Sequence, residues 1–213
     1  MTEADDTRAD AIETVDASAP APADDSKSTP EDRESAGPFD ITEVPAMRPY
    51  VDLGGIKVAP REGQQLRLDV EESTKRILAV SLDYLNSTLQ VQAFSSPRST
   101  GLWHHFRAQI AQQLGTQGAQ VTERDGALGP ELLAELPIPA ERGGGTHPVR
   151  FIGVDGPRWT LRGVITGQAN QDEAVARQLE ELYRSLVVVR GEQPMPPMEL
   201  LALRVPAGTE RSA

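Results

Sequence analysis

The sequence VRFIGVDGPRWTLRGVIT, residues 149–166, decides the fold class because it contains two strands joined by a turn. Apolar side chains alternate with other residues on both sides of the turn at 155–158, which is the pattern of a half-buried β-hairpin. A four-residue turn pairs Val154 with Trp159 and gathers four large apolar side chains on one face. A two-residue turn would place a charged side chain opposite Leu161. Since the buried face sets the register, the sequence favours the longer turn.

The chain before this hairpin changes from a strand pattern to a helix pattern. Residues 66–70, 77–82 and 89–94 are apolar or alternating runs separated by turns, which predicts an antiparallel meander. A helix that ends at Gly115 is predicted next, since apolar residues recur every three or four positions: Leu102, Trp103, Phe106, Ile110 and Leu114.

After the hairpin, Asn170 is expected to cap a second helix, with Glu173 as its capping-box partner. Residues 186–189 are β-branched and apolar, which predicts a buried central strand. The order is therefore strands, helix, strands, helix, strand. Because the strands come in antiparallel runs, the predicted fold class is α+β, with one antiparallel β-sheet (meander plus hairpins) covered by two amphipathic helices.

The charge of the chain is concentrated at its N-terminal end. Residues 1–43 contain 13 acidic and 3 basic side chains, whereas the other 170 residues contain 19 acidic and 18 basic ones. The acidic part has few large apolar residues and could not bury enough surface to offset the entropy of ordering it. We therefore predict a disordered acidic tail at 1–36, a single α+β domain at 37–206 and a frayed C-terminus at 207–213.

Composition also predicts where the protein works. The chain has no cysteine, which removes disulfides and thiolate chemistry and fits a reducing compartment. Its first residues are acidic and contain no apolar run, so no secretory signal is expected. No stretch approaches about 18 uninterrupted apolar residues, so no membrane association is expected. The cytoplasm is the predicted location.

Motifs that carry chemistry are missing from the sequence. Neither the P-loop nor the dinucleotide-binding glycine pattern occurs, and there is no Gly-x-Ser-x-Gly nucleophile elbow. His104 and His105 are adjacent on a predicted helix, so they cannot form an i, i+4 pair of metal ligands. The sequence therefore predicts no cofactor and no metal site.

Two segments combine a Pro-Arg pair with a tryptophan at the junction of two predicted elements. They are FSSPRSTGLW at 94–103 and GVDGPRWTLRG at 153–163. They supply the candidate binding residues of the chain, which are Arg98, Trp103, Asp155, Arg158, Trp159 and Arg162. In one interpretation the arginines bond turn carbonyls or pair with Asp155 while the tryptophan rings pack. In the other, Arg98, Arg158 and Arg162 line one anion-binding or partner-docking surface through their bidentate guanidinium groups.

Nucleic-acid binding is not predicted. The chain has no basic stripe, the predicted domain is nearly neutral, and the acidic tail repels phosphate. The tail could instead occupy a basic surface, either on another protein or on its own domain.

Several motifs resemble a family of actinobacterial proteins that carry a domain of unknown function. They are VDLGGIKV at 51–58, LQVQAFSSPRSTGLW at 89–103, RFIGVDGPRWTLRGVITG at 150–167 and LVVVRG at 186–191. The resemblance covers roughly residues 37–206 and implies an actinobacterial setting but no activity. The order of elements is also loosely similar to the antiparallel sandwich of PsbP-like folds, whose members mostly act as binding or assembly modules.

Two functions remain open. The missing catalytic motifs favour a non-enzymatic cytoplasmic protein-interaction or regulatory domain, with another protein as its partner and an acidic tail that tunes partner choice. The alternative is a small-ligand or anion-binding domain, including an enzyme that uses Arg and carboxylate groups. A concave pocket in which the candidate arginines converge with a tryptophan would favour the alternative.

Overall fold

The computed structural model describes residues 25–45, 49–138 and 140–206. It has the predicted α+β class, with two sheets of mostly antiparallel strands and three α-helices among the described residues. Residues 1–24 of the predicted disordered tail and the predicted frayed end at 207–213 lie outside the described residues.

The larger sheet contains seven antiparallel strands in the order β4-β5-β6-β10-β9-β8-β7. The predicted meander supplies its first three strands, and the predicted hairpin lies near its centre. Its strands are β4 Gln65–Val70, β5 Ile77–Tyr84, β6 Ser87–Ser95, β7 Gln120–Gly126, β8 Gly129–Pro137, β9 Thr146–Asp155 and β10 Trp159–Gly167.

The structure also has a second, four-stranded sheet, whereas the sequence predicts a single sheet. Its order is β1-β11-β3-β2, and its strands are β1 Phe39–Asp40, β2 Val51–Asp52, β3 Ile56–Val58 and β11 Val187–Val188. Strands of two or three residues are too short to show a period-2 pattern, so this sheet could not be recognised from the sequence. The predicted buried central strand is confirmed, since β11 lies between β1 and β3 and is fully buried.

The described α-helices are α1 Arg33–Ala36, α2 Trp103–Thr116 and α3 Glu173–Arg184, and α2 and α3 lie on opposite faces of the larger sheet. The Trp103 ring of α2 packs over Gly153 of β9, and Tyr183 of α3 packs beside Gly163 of β10. Gly163 pairs with Ile152, the neighbour of Gly153, so the two glycines face opposite sides. None of the described helices is long and apolar enough to cross a membrane.

One apolar core joins the two sheets and α3. Its fully buried members come from both sheets and the helix, and they include Ile56, Val58, Val91, Ile152, Leu161, Leu182 and Val188. The smaller sheet and α3 therefore cover the same face of the larger sheet, while α2 covers part of the other.

The predicted register of the central hairpin is wrong by two residues. Leu161 pairs with Val154, where the four-residue turn required Trp159. The four-residue turn would also place Phe151 opposite Arg162, but Phe151 lies opposite Val164. A shift of two keeps every side chain on its predicted face, so the buried face is correct although the pairing is not.

The start of α3 also differs from the prediction. Asp172 is its N-cap and accepts hydrogen bonds from the N–H groups of Ala174 and Val175. Asn170 lies before the helix, and its side-chain amide donates to the carbonyls of Pro148 and Ile165 at 2.9 and 3.0 Å. The predicted capping box does not form, because Asn170 is the last residue of a short 3₁₀ turn and the helix begins only after Asp172.

Residues 25–36, which were predicted to belong to the tail, pack against the two sheets. The Ser28 N–H donates to Asp155 Oδ2 at 3.0 Å, and Thr29 Oγ1 donates to the Asp155 carbonyl at 2.6 Å. Arg33 is only 4% exposed, and its guanidinium donates to both carboxylate oxygens of Glu43 at 2.8 and 2.6 Å. We call this segment the strap. Polar contacts hold it, so its low apolar content is compatible with an ordered conformation.

Candidate anion-binding cleft

The two Pro-Arg segments come together because β6 and β10 pair along their length. Ser95 at the end of β6 lies opposite Trp159 at the start of β10. One residue further, the Ser96 N–H donates to the Arg158 carbonyl at 3.0 Å. Arg98 and Arg158 therefore extend from neighbouring turns at the same end of the larger sheet.

The strap adds a third cation at this place. Lys27 Nζ donates to the carbonyls of Gly156 and Pro157 at 2.6 and 2.8 Å, which fixes the ammonium against the β9–β10 turn. Burial lowers the pKa of Lys27, while the charge of Asp155 raises it and that of Arg33 lowers it.

Lys27, Arg98 and Arg158 line one open cleft of about 810 Å³, together with Asp40, Thr42, Pro157 and Glu192. We call it the cationic cleft. Arg98 is exposed and makes no side-chain hydrogen bond or ion pair with any described residue. Arg158 is half-buried, and its Nη2 donates to the Gly191 carbonyl at 2.6 Å, which leaves most of its guanidinium unused.

The cations of the cleft have no carboxylate partner among the described residues, whereas nine other described arginines contact an aspartate or glutamate within 4.0 Å. Arg67, Arg150 and Arg204, for example, each contact an aspartate or glutamate within 3.0 Å. Within the described ranges, no carboxylate forms such an ion pair with Lys27 or Arg158. A cluster of unpaired cations is unfavourable unless solvent or an anionic ligand compensates it.

Positive charge also accumulates beside the cleft. Burial and the neighbouring charge of Arg158 lower the pKa of Arg190, and Glu199 only partly opposes them. Arg190 itself donates to Ser95 Oγ at 3.1 Å and to the Gln193 carbonyl at 2.7 Å. Its guanidinium is therefore held in place near Arg158, and no described carboxylate forms an ion pair with it.

The two acids of the cleft differ in their availability. Both carboxylate oxygens of Asp40 are occupied, one by Trp159 Nε1 at 2.9 Å and the other by the N–H and hydroxyl of Thr42 at 3.0 and 2.7 Å. Glu192 is exposed on the rim. The hydrogen-bond donors that the cleft offers to a ligand are therefore the unbonded guanidinium N–H groups of Arg98 and Arg158.

Asp155, a predicted binding residue, is completely buried and acts as a structural anchor. Its carboxylate accepts hydrogen bonds from the N–H groups of Leu102, Trp103 and Ser28 and from Thr160 Oγ1. It thus caps the first turn of α2 from a distant strand and fixes the strap at the same time. No ligand can reach it, because its side chain is 0% exposed.

Both tryptophans lie in the core and not on the surface. Trp103 and Trp159 are each 0% exposed. The indole N–H of Trp103 donates to the Pro130 carbonyl at 2.6 Å, and that of Trp159 donates to Asp40. Both rings pack in the core next to the two turns, as the packing interpretation of the sequence predicts. Neither ring is exposed to a ligand.

The structure separates Arg162 from the other two candidate arginines. Arg162 lies on the α2 face of the larger sheet, where its guanidinium donates to Gln92 Oε1 and lies 5.6 Å from the Phe94 ring centroid. Burial lowers its pKa, and its Nε has no hydrogen-bond partner among the described residues. It does not line the cationic cleft.

Comparison with known proteins gives one family. A family model described as protein of unknown function (DUF3710) matches residues 37–212. The chain belongs to the DUF3710 family. The expected uncharacterised family is thereby confirmed, and its actinobacterial setting stays a prediction.

Other similarities of this DUF3710 chain are weak or absent. No curated protein matches it. A solution structure of cyanobacterial PsbP (CyanoP) from Synechocystis sp. PCC 6803 is similar over 63% of this chain and 86% of that chain, with 12% identity and a TM-score of 0.37. Similarity at this level transfers no function from one protein to the other.

Two cations in or beside the cleft of the DUF3710 chain were not predicted from the sequence. Lys27 belongs to the strap, outside the range that the family model matches, and Arg190 ends the segment after β11. A single lysine within an acidic segment gives no signal of its own. Only the hydrogen bonds between the strap and the β9–β10 turn place it there.

No metal site is evident in the part of the chain that the structure describes, since no three His, Asp or Glu residues cluster so as to hold an ion. The expectation that the protein uses no metal or cofactor stays a prediction. What the cleft offers chemically is a set of directed N–H donors and positive charge, which suit carboxylate or phosphate oxygens.

Proposed function

We propose that this DUF3710 protein is a non-catalytic docking module that binds an acidic segment of another protein in the cationic cleft. The observation that carries the proposal is the meeting, at one open cleft, of three cations from three separate segments that have no carboxylate partner within the described ranges. Guanidinium forks recognise carboxylates bidentately, and so a short row of aspartates or glutamates would satisfy these donors.

The form of the cleft supports a chain segment as the ligand. Small-molecule sites are usually concave enough to bury most of their ligand and are lined mainly by apolar side chains. This cleft is open and lined mostly by charged or polar residues, and Arg98 stands on its exposed rim. Of the two carboxylates that line it, that of Asp40 is already hydrogen-bonded and that of Glu192 is exposed on the rim, which favours binding over acid–base chemistry.

The absence of cysteine supports a reducing compartment, and we infer the cytoplasm as the place of docking. Cell fractionation with an antibody against the native protein tests this location, and recovery in a secreted or envelope fraction would contradict it.

The test of docking is the affinity for a synthetic peptide of six glutamates, measured by isothermal titration calorimetry. We expect Arg98→Gln/Arg158→Gln to weaken binding at least about tenfold, because each guanidinium supplies charge-assisted hydrogen bonds worth roughly 1.5–3 kcal/mol. The matched control is Lys75→Gln/Arg76→Gln, which removes the same charge from an exposed turn between β4 and β5 where neither cation has an ion pair among the described residues.

Equal loss in both double variants would overturn the proposal, since it would reduce the effect to net charge. Thermal unfolding of each variant checks that the fold is kept. If the peptide binds, capture from native cells with the wild type and with the arginine variant then identifies partners that depend on the cleft.

A small-anion site is the second candidate, and the free fork of Arg98 beside the free edge of Arg158 is the observation that favours it. Two guanidinium edges can hold one phosphate group. Titration with inorganic pyrophosphate separates the candidates. Binding about tenfold tighter than that of the peptide, lost in the arginine variant, would support a small-anion site instead of a docking site.

A further inference from the structure

We propose that the acidic segment 1–24 of the same chain competes for the cationic cleft and so regulates access to it. The inference rests on the docking function proposed above, because it assigns a second, internal ligand to the same site. Three observations carry it, namely the charge of the segment, its point of attachment and the unpaired cations of the cleft.

The segment has the chemistry that the cleft recognises. Residues 1–24 contain seven acidic side chains and one arginine, which gives a net charge of −6. The acids are Glu3, Asp5, Asp6, Asp10, Glu13, Asp16 and Asp24. Glu3, Asp5 and Asp6 form a short acidic group, and the isolated acids that follow it give the cleft more than one way to pair.

The point of attachment puts this charge next to the cleft. The Asp25 carbonyl accepts the Gly101 N–H at 2.9 Å, and Ser28 is bound to Asp155, so residues 25–28 are fixed. The segment therefore joins the fold two residues before Lys27, which lines the cleft. Asp16 lies nine residues before Asp25, and nine residues of extended chain span at most roughly 32 Å, so Asp16 and the acids before it have enough chain to reach the cleft.

Attachment to the same chain makes weak recognition effective. A tethered ligand acts at a local concentration on the order of millimolar, so even millimolar intrinsic affinity keeps much of the cleft occupied. A partner must then displace the segment, which selects for partners with more or better placed acids. Segment 1–24 thus sets a threshold for docking and does not abolish it.

The experiment uses the full chain with six acids neutralised: Glu3→Gln, Asp5→Asn, Asp6→Asn, Asp10→Asn, Glu13→Gln and Asp16→Asn. We expect the peptide of six glutamates to bind about three- to tenfold more tightly than to the wild type, as competition is removed. The matched control neutralises six exposed acids on the described fold, which are Glu62, Glu71, Glu72, Asp125, Glu141 and Glu173. A smaller gain in this control separates competition from net charge.

Proximity provides a readout that does not depend on affinity. The chain has three lysines, Lys27, Lys57 and Lys75, and only Lys27 lines the cleft. A carbodiimide, which joins a lysine to a carboxylate in direct contact, should link Lys27 to acids of segment 1–24. These cross-links should fall in the Arg98→Gln/Arg158→Gln variant, although Lys27 and the tether are unchanged.

The outcomes separate the two proposals. If the Arg98→Gln/Arg158→Gln variant and every other variant bind the peptide as well as the wild type does, the docking function itself is overturned. A second outcome would overturn the competition but not the docking function. In it, peptide binding requires Arg98 and Arg158, but the wild type and the neutralised protein bind the peptide with equal affinity. The cross-links between Lys27 and segment 1–24 are then the same with and without the two arginines.

Discussion

Gly153 marks the closest approach between the larger sheet and α2. A Cβ at this position would lie 2.2 Å from two carbons of the Trp103 ring, which is itself fully buried. Since neither β9 nor the indole can move without disturbing the core, a methyl group here overpacks the site. The glycine is thus the reason that Trp103 can bring the start of α2 down to Asp155.

We expect Gly153→Ala to lower the free energy of unfolding by about 3 kcal/mol, as measured by urea denaturation. Gly115→Ala provides the control, because nothing lies within 4 Å of its added Cβ in α2. Alanine is the better helix former by roughly 0.5–1 kcal/mol, so the control variant should be more stable than the wild type. A loss in both variants, or in neither, would contradict this account.

A second single residue, Tyr183, makes the free energy of unfolding depend on pH. Burial raises the pKa of its hydroxyl well above the ordinary value of 10.0, and the charge of Asp155 raises it further. The hydroxyl donates to the Leu161 carbonyl at 2.7 Å, which only the protonated form can do. Unfolding above pH 10 therefore releases a proton, and the stabilisation present below that pH is lost as the pH rises.

Tyr183→Phe should lower the free energy of unfolding by about 1 kcal/mol at neutral pH, since one buried hydrogen bond is lost. From about pH 10 upward, the wild type should lose up to roughly 1.4 kcal/mol per pH unit more than the variant. The two stability curves, measured by urea denaturation at a series of pH values, should therefore converge in alkali. Parallel curves would show that Tyr183 does not titrate on unfolding.

At the scale of elements, a buried ion network joins β8 and β9 to α3. Arg150 contacts Glu131 and Glu180 at 2.7 and 2.5 Å, and Arg124 contacts the other oxygen of Glu131 at 2.6 Å. The side chains of Arg150 and Glu131 are 4% and 1% exposed, whereas that of Arg124 is 51% exposed. Burial opposes the charge of Arg150, but its two glutamate partners raise its pKa overall.

Arg150→Met should therefore cost about 4 kcal/mol of unfolding free energy, because it leaves the buried Glu131 with only the exposed Arg124 and removes the ion pair of Glu180. Arg124→Met removes an arginine from the same glutamate but should cost less than about 1 kcal/mol, as water screens the exposed pair. Urea denaturation of both variants checks the contrast. Similar losses would mean that burial does not decide the strength of these pairs.

Elements also show how far the sequence determines the fold. The nine residues of β6 and the 14 residues of α2 repeat their patterns long enough to be recognised. The strap could not be predicted, since Ser28 is held by Asp155, 127 positions along the chain. Non-local polar contacts of this kind leave no local period.

The candidate site could be predicted only in part, because non-local contacts bring its residues together. Two Pro-Arg motifs pointed to Arg98 and Arg158, but only the pairing of β6 with β10 places them at one end of the sheet. Arg162 lies in the second of these segments but belongs to the opposite face of the sheet. Residue type suggested the chemistry, while strand register decided which arginines share a surface.

The whole molecule combines a strongly negative net charge with a locally positive cleft. The chain carries −11 at pH 7, most of it in the first 43 residues. An acidic ligand is thus repelled at long range and attracted at contact. Salt acts differently on the two terms, because screening weakens distant interactions before it weakens contacts within a few ångströms.

This opposition predicts a non-monotonic salt dependence for the peptide of six glutamates. Between about 0.01 and 0.1 M NaCl the screening length falls from roughly 30 to 10 Å, so long-range repulsion fades while contact pairing survives, and affinity should rise. Near 1 M, at roughly 3 Å, the contact pairs are screened too and affinity should fall. Neutralising six acids of segment 1–24 should flatten the low-salt rise. Titration calorimetry across this range checks the curve, and a steady decline from the lowest salt would show that local attraction dominates at every distance.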